Sequence, residues 1–277
     1  MGIFHRFFSR REIEPKNVKP KSANLAFVLL SEARLPEVEA IARAFVDFAA
    51  PGESLQNASE SAGENTGQQI HSLRLSTGER AFVALIPAAV PEGEAENAAR
   101  YSLSSFGNDW KLPAHCAQLL VSLRVESSSS LLIELSRFTS LLAAVTKVAP
   151  AVGVYWGNAG ATHAADFFLS IASDRDVGPR MMLWSGVSMV RKKDGRLSLL
   201  SLGMEQLNLP DLLLVAGKSS ENIAIEMMFD LLTYVAERGQ PLPEGDSVGR
   251  NTDEQVTIHY IPSPIDSSKE VLHVELP

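Results

Sequence analysis

The sequence predicts an α+β protein made of two ferredoxin-like halves, each running strand, helix, strand, strand, helix, strand, packed together with extra strands in the second half. Three observations carry the prediction. The chain has 277 residues of which 45% are apolar, enough for two ordinary domains or one large one. Short apolar runs alternate with segments of helical spacing rather than forming all-helical or all-strand blocks. The same order of elements recurs on either side of Pro150, although no residue-level repeat accompanies it.

Taken in order, residues 1–22 read as an N-terminal tail, and residues 23–126 as the first half. Residues 23–30 are apolar and strand-like, and residues 35–50 place Val38, Ile41, Ala42, Phe45 and Phe48 at helical spacing. Residues 51–69 are Gly, Ser, Asn, Gln and Glu-rich, which makes them a flexible polar insertion. Strands at 70–75 and 80–86 form a hairpin about Gly78, a helix opens at Pro91 and runs to about 104, and a strand follows at 118–125. The serine run 127–130 caps a connecting helix over 131–148, within a 127–150 connector that Pro150 ends.

The second half, 151–277, begins with a strand at 152–156 and a helix at 162–172. Strands at 182–190 and 196–202 are joined by Lys192-Lys-Asp-Gly195, a dipeptide pattern suited to positive φ. A helix over 221–238 carries Ala224, Met227, Met228, Leu231 and Val235 inward and stops at Gly239, and a strand at 255–261 closes the order.

Composition excludes several functions. With 25 basic and 33 acidic residues the formal charge is -8, which opposes a general nucleic-acid binder. The single cysteine, Cys116, rules out an internal disulfide and a cysteine-built zinc site, and reads as a small buried apolar residue. Neither a metal nor a cofactor is expected, and the cytoplasm is the expected compartment. Residues 1–11 lack the apolar core of an export signal. Phe4, Phe7 and Phe8 beside Arg6, Arg10 and Arg11 make them the one expected route to a membrane or partner, against the plainer reading of a frayed tail or a helix on its own domain.

The candidate site residues centre on Trp156-Gly-Asn-Ala-Gly160, read as the turn from a strand into a helix. Gly157, Asn158 and Gly160 would present N–H groups to an anion at that helix start, or simply shape the turn; neither phosphate-loop glycine motif is completed. His163 falls in the first turn of the expected helix, where the dipole would keep it neutral as a base or leave it a core histidine. Glu205 follows a strand and pairs with His163 as acid and base if the two converge. Trp156 and Trp184, both expected on strands, floor a pocket or fill the core. Arg250 ends a polar glycine loop and would anchor a carboxylate or phosphate, or pair with Asp246. No serine-hydrolase elbow is present.

From Val152 onward the chain resembles a bacterial family catalogued as a domain of unknown function, number forty-two sixty-one. The matching pieces are Val154-Tyr-Trp-Gly157, Leu183-Trp-Ser-Gly186, Asp194-Gly-Arg196, Leu202-Gly-Met-Glu-Gln206 with Leu209-Pro-Asp211, Gly245-Asp-Ser-Val-Gly-Arg250 and Tyr260-Ile-Pro-Ser-Pro-Ile265. The resemblance implies a bacterial cytosolic protein and brings no activity, cofactor or catalytic residue. The expected function is therefore a non-catalytic binding or protein-interaction factor, of immunity or accessory type, with a protein partner and no nucleic acid. The alternative is an enzyme acting on a small anion through His163, Glu205 and Arg250.

Overall fold

The computed structural model describes residues 24–58, 69–107, 110–124, 130–217, 221–249 and 255–276. The expectations for the N-terminal tail, most of the 51–69 insertion, Ser127 to Ser129 and Arg250 lie outside the described residues. The protein is α+β, and contacts group it into two units that divide between Gly186 and Val187.

The first unit is built on one sheet. Its elements are β1 (Asn24–Leu30), α1 (Val38–Phe48), β2 (Leu55–Asn57), β3 (Ile70–Leu75), β4 (Arg80–Ile86), α2 (Glu94–Ala99), β5 (Ala117–Arg124), α3 (Leu131–Val148), β6 (Ala151–Trp156), β7 (Ala161–Ala164), α4 (Ala165–Ser173) and α5 (Val177–Trp184). The strands lie in the order β2-β3-β4-β5-β1-β6-β7, and every neighbouring pair is antiparallel. A ferredoxin-like half would set its first strand beside its third; here β1 lies between β5 and β6. The strand expected to open a second half is thus the sixth of this sheet.

Strand alternation gives the sheet two faces. The inner face carries Val28, Val83, Val121, Val154 and Trp156, all fully buried, and α1, α3 and α4 pack on this sheet. Helix α1 buries Val38, Ile41, Ala44, Phe45 and Phe48 at i, i+3, i+4 spacing, the pattern of a helix with one side on a core. Helix α3 buries eleven of its eighteen residues, which its nearly continuous apolar sequence dictates.

Three sequence expectations change here. Ala161-Thr-His-Ala164 forms a strand rather than the start of a helix, pairing Tyr155 with Thr162 and Trp156 with Ala161. Gly160 sits at φ 65, a left-handed conformation that turns the chain straight back on itself, so the glycine turn closes a hairpin. Trp184 ends helix α5 instead of lying on a strand, because the chain from Val177 to Trp184 is helical and β8 begins only at Gly186. The helix expected from Pro91 to residue 104 is also broken, with Glu92 and Gly93 at positive φ before α2 begins.

The second unit contains β8 (Gly186–Arg191), β9 (Leu197–Leu202), β10 (Leu212–Ala216), α6 (Glu221–Arg238), β11 (Ser247–Val248), β12 (Val256–Thr257), β13 (His259–Pro262) and β14 (Glu270–Glu275). Five strands form a mixed sheet in the order β13-β14-β10-β9-β8, with β10 and β14 parallel. A parallel pair needs a long crossover, and α6 supplies part of it. Strands β11 and β12 pair separately. Helix α6 packs on β9 and β10 with Ala224, Met228, Leu231 and Val235 buried.

Candidate functional site

His163 is fully enclosed, as are the candidates Trp156 and Trp184. It lies on β7, opposite Val154, with no solvent exposure. Its Nε2 is 3.2 Å from the Leu183 carbonyl oxygen, and a carbonyl only accepts, so Nε2 carries the hydrogen. Nδ1 is then the acceptor, and the Ser102 hydroxyl donates to it at 2.7 Å. Ser102 Oγ in turn accepts from the Ser104 hydroxyl at 2.7 Å and the Ser104 N–H at 3.2 Å. Ser104 Oγ accepts the Ala164 N–H at 3.2 Å, which satisfies an outward donor of strand β7. Burial drives the His163 pKa down to about 4, opposed by the Leu183 hydrogen bond. The ring is neutral at physiological pH because it is desolvated; it lies on a strand, so no helix dipole of its own element acts on it.

A serine hydroxyl on a histidine nitrogen is the pairing that nucleophilic catalysis uses. Here both groups are sealed, Ser102 at 1% exposure and His163 at 0%, so the pair serves the interior. It ties the segment after α2 to strand β7 and to the end of α5.

The glycine turn has the same character. Helix α4 starts at Ala165, five residues after Gly160, so the turn does not deliver helix N–H groups. A methyl group on Gly186 would lie 2.9 Å from the Ala159 carbonyl oxygen and 3.2 Å from that of Gly160, so the hairpin tip is pressed on Gly186. Asn158 and Gly157 are exposed at this tip. Trp156 stands edge-on to Phe138 with centroids 5.1 Å apart, and Trp184 Nε1 donates to Thr139 Oγ1 at 2.8 Å. Both indoles are fully buried against α3 and act as core.

Glu205 belongs to the second unit. Its side chain is 74% exposed and pairs with Lys269 at 2.7 Å. Nearby, Asp211 accepts from Ser201 Oγ at 3.0 Å and from the Met204 N–H at 3.1 Å, which pins the loop after β9. Burial raises the Asp211 pKa against those bonds. His163 and Glu205 therefore fall in separate units, each engaged within its own. A shallow depression of about 470 Å³ at the end of α6 is lined by Tyr234, Glu237, Arg238 and Gln240. Cys116 is exposed rather than buried, because it sits in the irregular segment before β5, where its thiol donates to the Ser31 carbonyl. Among the described residues no three His, Cys, Asp or Glu side chains group as a metal site, and no helix is long and apolar enough to cross a membrane.

Two charged residues escaped sequence reasoning. Arg180 on α5 is 2% exposed and has no acid bonded to it. Its Nε donates to the Asp174 carbonyl at 2.8 Å, Nη1 to the Ser136 carbonyl at 2.9 Å, and Nη2 to the Phe48 and Ala172 carbonyls at 3.0 Å each. Phe48 and Ala172 lie in the last turns of α1 and α4, so one cation meets carbonyls at the negative ends of two helices, and Ser140 Oγ also donates to that of Phe48 at 2.9 Å. Burial, with Arg175 nearby, lowers its pKa to about 10, which leaves it charged at neutral pH. Arg137 on α3 holds Glu53 at 2.8 Å and the buried Glu79 at 2.5 Å, and Thr77 donates to the other Glu79 oxygen. The one sequence signal for Arg180 is a lone arginine within the otherwise apolar Arg180-Met-Met-Leu-Trp184.

Residues 200–275 match the model of a family described as Domain of unknown function (DUF4261). The match spans β9, β10, α6 and β11 to β14, so this domain occupies the C-terminal part of the chain, where the sequence resemblance placed it. The hairpin motif at Val154 and the Leu183-Trp-Ser-Gly186 motif lie before the matched stretch. No curated protein and no solved structure matches the chain significantly.

Proposed function

We propose that this is a non-catalytic binding protein, of immunity or accessory type, that acts by docking a partner polypeptide in the cytoplasm. One observation carries the reading: the seven-stranded sheet buries its inner face and leaves much of its outer face open. On that outer face Leu25 is 37% exposed, Phe82 38% and Ile70 54%, at positions facing away from the buried Ala26, Val83 and Leu73. Part of this face is covered, where Leu29 meets Val90 and Ala95 beside Phe27 and Tyr155. Apolar area left in water on a sheet is an association site or a liability, and a protein that keeps it has a use for it. The enzymatic alternative asks His163 to meet substrate, and its ring is wholly enclosed.

The test is affinity purification of the tagged full chain at low salt from the cell that encodes it. A stoichiometric companion is expected. Recovery of the bare protein alone would overturn the reading.

A further inference from the structure

Each guanidinium nitrogen of the buried Arg180 has a carbonyl to donate to. Arg238, the last residue of α6, differs in this respect. Its Nη1 is closed off from solvent and meets no hydrogen-bond acceptor. A guanidinium nitrogen withdrawn from water without an acceptor costs free energy, and such a group in a native fold calls for a partner. The negative end of α6 accounts for a cation in the last turn, but not for one whose donor is left unmet there. Tyr260 stands near Arg238, and its hydroxyl donates elsewhere, to the Leu242 carbonyl at 2.7 Å.

Arg238 also lines the depression of about 470 Å³ at the end of α6, together with Tyr234, Glu237 and Gln240. Tyr234 lies four residues before Arg238 on the helix, so ring and guanidinium share one side of it. Glu237 and Gln240 are exposed. The depression thus combines one cation, one carboxylate, an aromatic ring and an amide, in a volume typical of small-ligand sites. A phosphate suits it poorly, because Glu237 and the carbonyl end of the helix both repel a second negative charge. A carboxylate that brings its own ammonium group suits it, since that cation is drawn to Glu237 and the helix end.

We infer that this depression binds a free α-amino acid, its carboxylate on Arg238, its ammonium group on Glu237 and its side chain against Tyr234. A guanidinium takes a carboxylate in two-pronged fashion, which supplies the acceptor that Nη1 lacks. A turn about the outer torsions of the Arg238 side chain brings that nitrogen to the ligand. The site lies within the second unit and goes beyond the docking role proposed above, on which it does not depend.

Thermal unfolding and calorimetric titration of the full chain test this with the common protein amino acids as probes, each at about 10 mM. At least one is expected to raise Tm by about 2 °C or more. Its N-acetyl and amide derivatives, which each lack one of the two charges, are expected to bind about tenfold more weakly or worse, and inorganic phosphate to give no shift. Arg238→Met is expected to abolish binding while leaving the Tm of the ligand-free chain equal or higher, because it removes an unmatched donor. Glu237→Gln, at an exposed position, is expected to weaken binding about tenfold and keeps the test readable if the Met variant folds poorly.

No shift with any amino acid, binding of the N-acetyl or amide form as tight as that of the free acid, or unchanged affinity in Arg238→Met or Glu237→Gln would each overturn the inference. Any of these results leaves the docking role standing, since that role is decided by recovery of a cellular companion and not by ligand binding.

Discussion

The two faces of the seven-stranded sheet are made from the same strands and differ in how far their apolar side chains leave water. Among the helices packed on the inner face, two arginines are matched: Arg180 collects four carbonyls, and Arg137 holds two carboxylates, while the buried Trp156 Nε1 on the face itself has no hydrogen-bond partner among the described residues. On the outer face, the apolar side chains of Leu25, Ile70 and Phe82 remain partly in water. The inner pattern is what stability demands, since a buried charge is tolerated only when its donors are met. The outer pattern leaves apolar surface in water, and the proposed binding role rests on that surface.

The comparison breaks most visibly at Arg180. Arg180→Met removes a buried cation and takes a donor from the Asp174, Ser136, Phe48 and Ala172 carbonyls, of which Phe48 keeps Ser140 Oγ, and urea unfolding should register a loss of about 3–5 kcal/mol. A loss below about 1 kcal/mol would show that the inner face does not depend on this residue.

His163 gives the inner face a pH signature. The unfolded imidazole takes up a proton near its ordinary 6.5, while the folded one stays neutral down to about 4. Protonation thus favours the unfolded chain between those values. Stability conferred by the neutral ring is complete above about pH 6.5, falls by about 3 kcal/mol as the pH drops to about 4, and changes no further below that. Urea unfolding followed across that window should show this slope in the wild type and its absence in His163→Asn, which carries no titrating ring.

A smaller effect is expected at Gly186→Ala, where the added methyl meets two backbone carbonyls of the hairpin tip. Backbone atoms do not swing aside as side chains do, so a thermal or urea scan should record a loss of about 1–3 kcal/mol. The outer face should respond least. Phe82→Ser should cost less than about 1 kcal/mol, because its ring is already partly in water.

Sequence legibility followed the same division. Helices α3 and α6 and the β3–β4 hairpin appear with the bounds their periodicity predicts, since each has a long apolar stripe or a clear turn. The glycine turn misled because glycine before a Thr-His pair suits either a helix start or a hairpin. Tertiary pairing with β6 decided for the hairpin, and no local signal encodes that partner. Trp184 was misplaced for the same reason, as Met181-Met-Leu-Trp184 is equally apolar as strand or helix. Ser102 meets His163 across 61 residues, a distance no motif spans. The cross-strand neighbours Arg74, Arg80 and Arg124 align only through the register of three strands, which no local signal encodes.

The contrast between the faces is tested most directly by urea unfolding of the chain carrying Leu25→Thr, Ile70→Thr and Phe82→Thr together. The partial exposure of these three side chains predicts a loss below about 2 kcal/mol, with an unchanged dependence on urea. A loss of about 4 kcal/mol or more would show that they hold the sheet together, and would contradict their assignment to a partner.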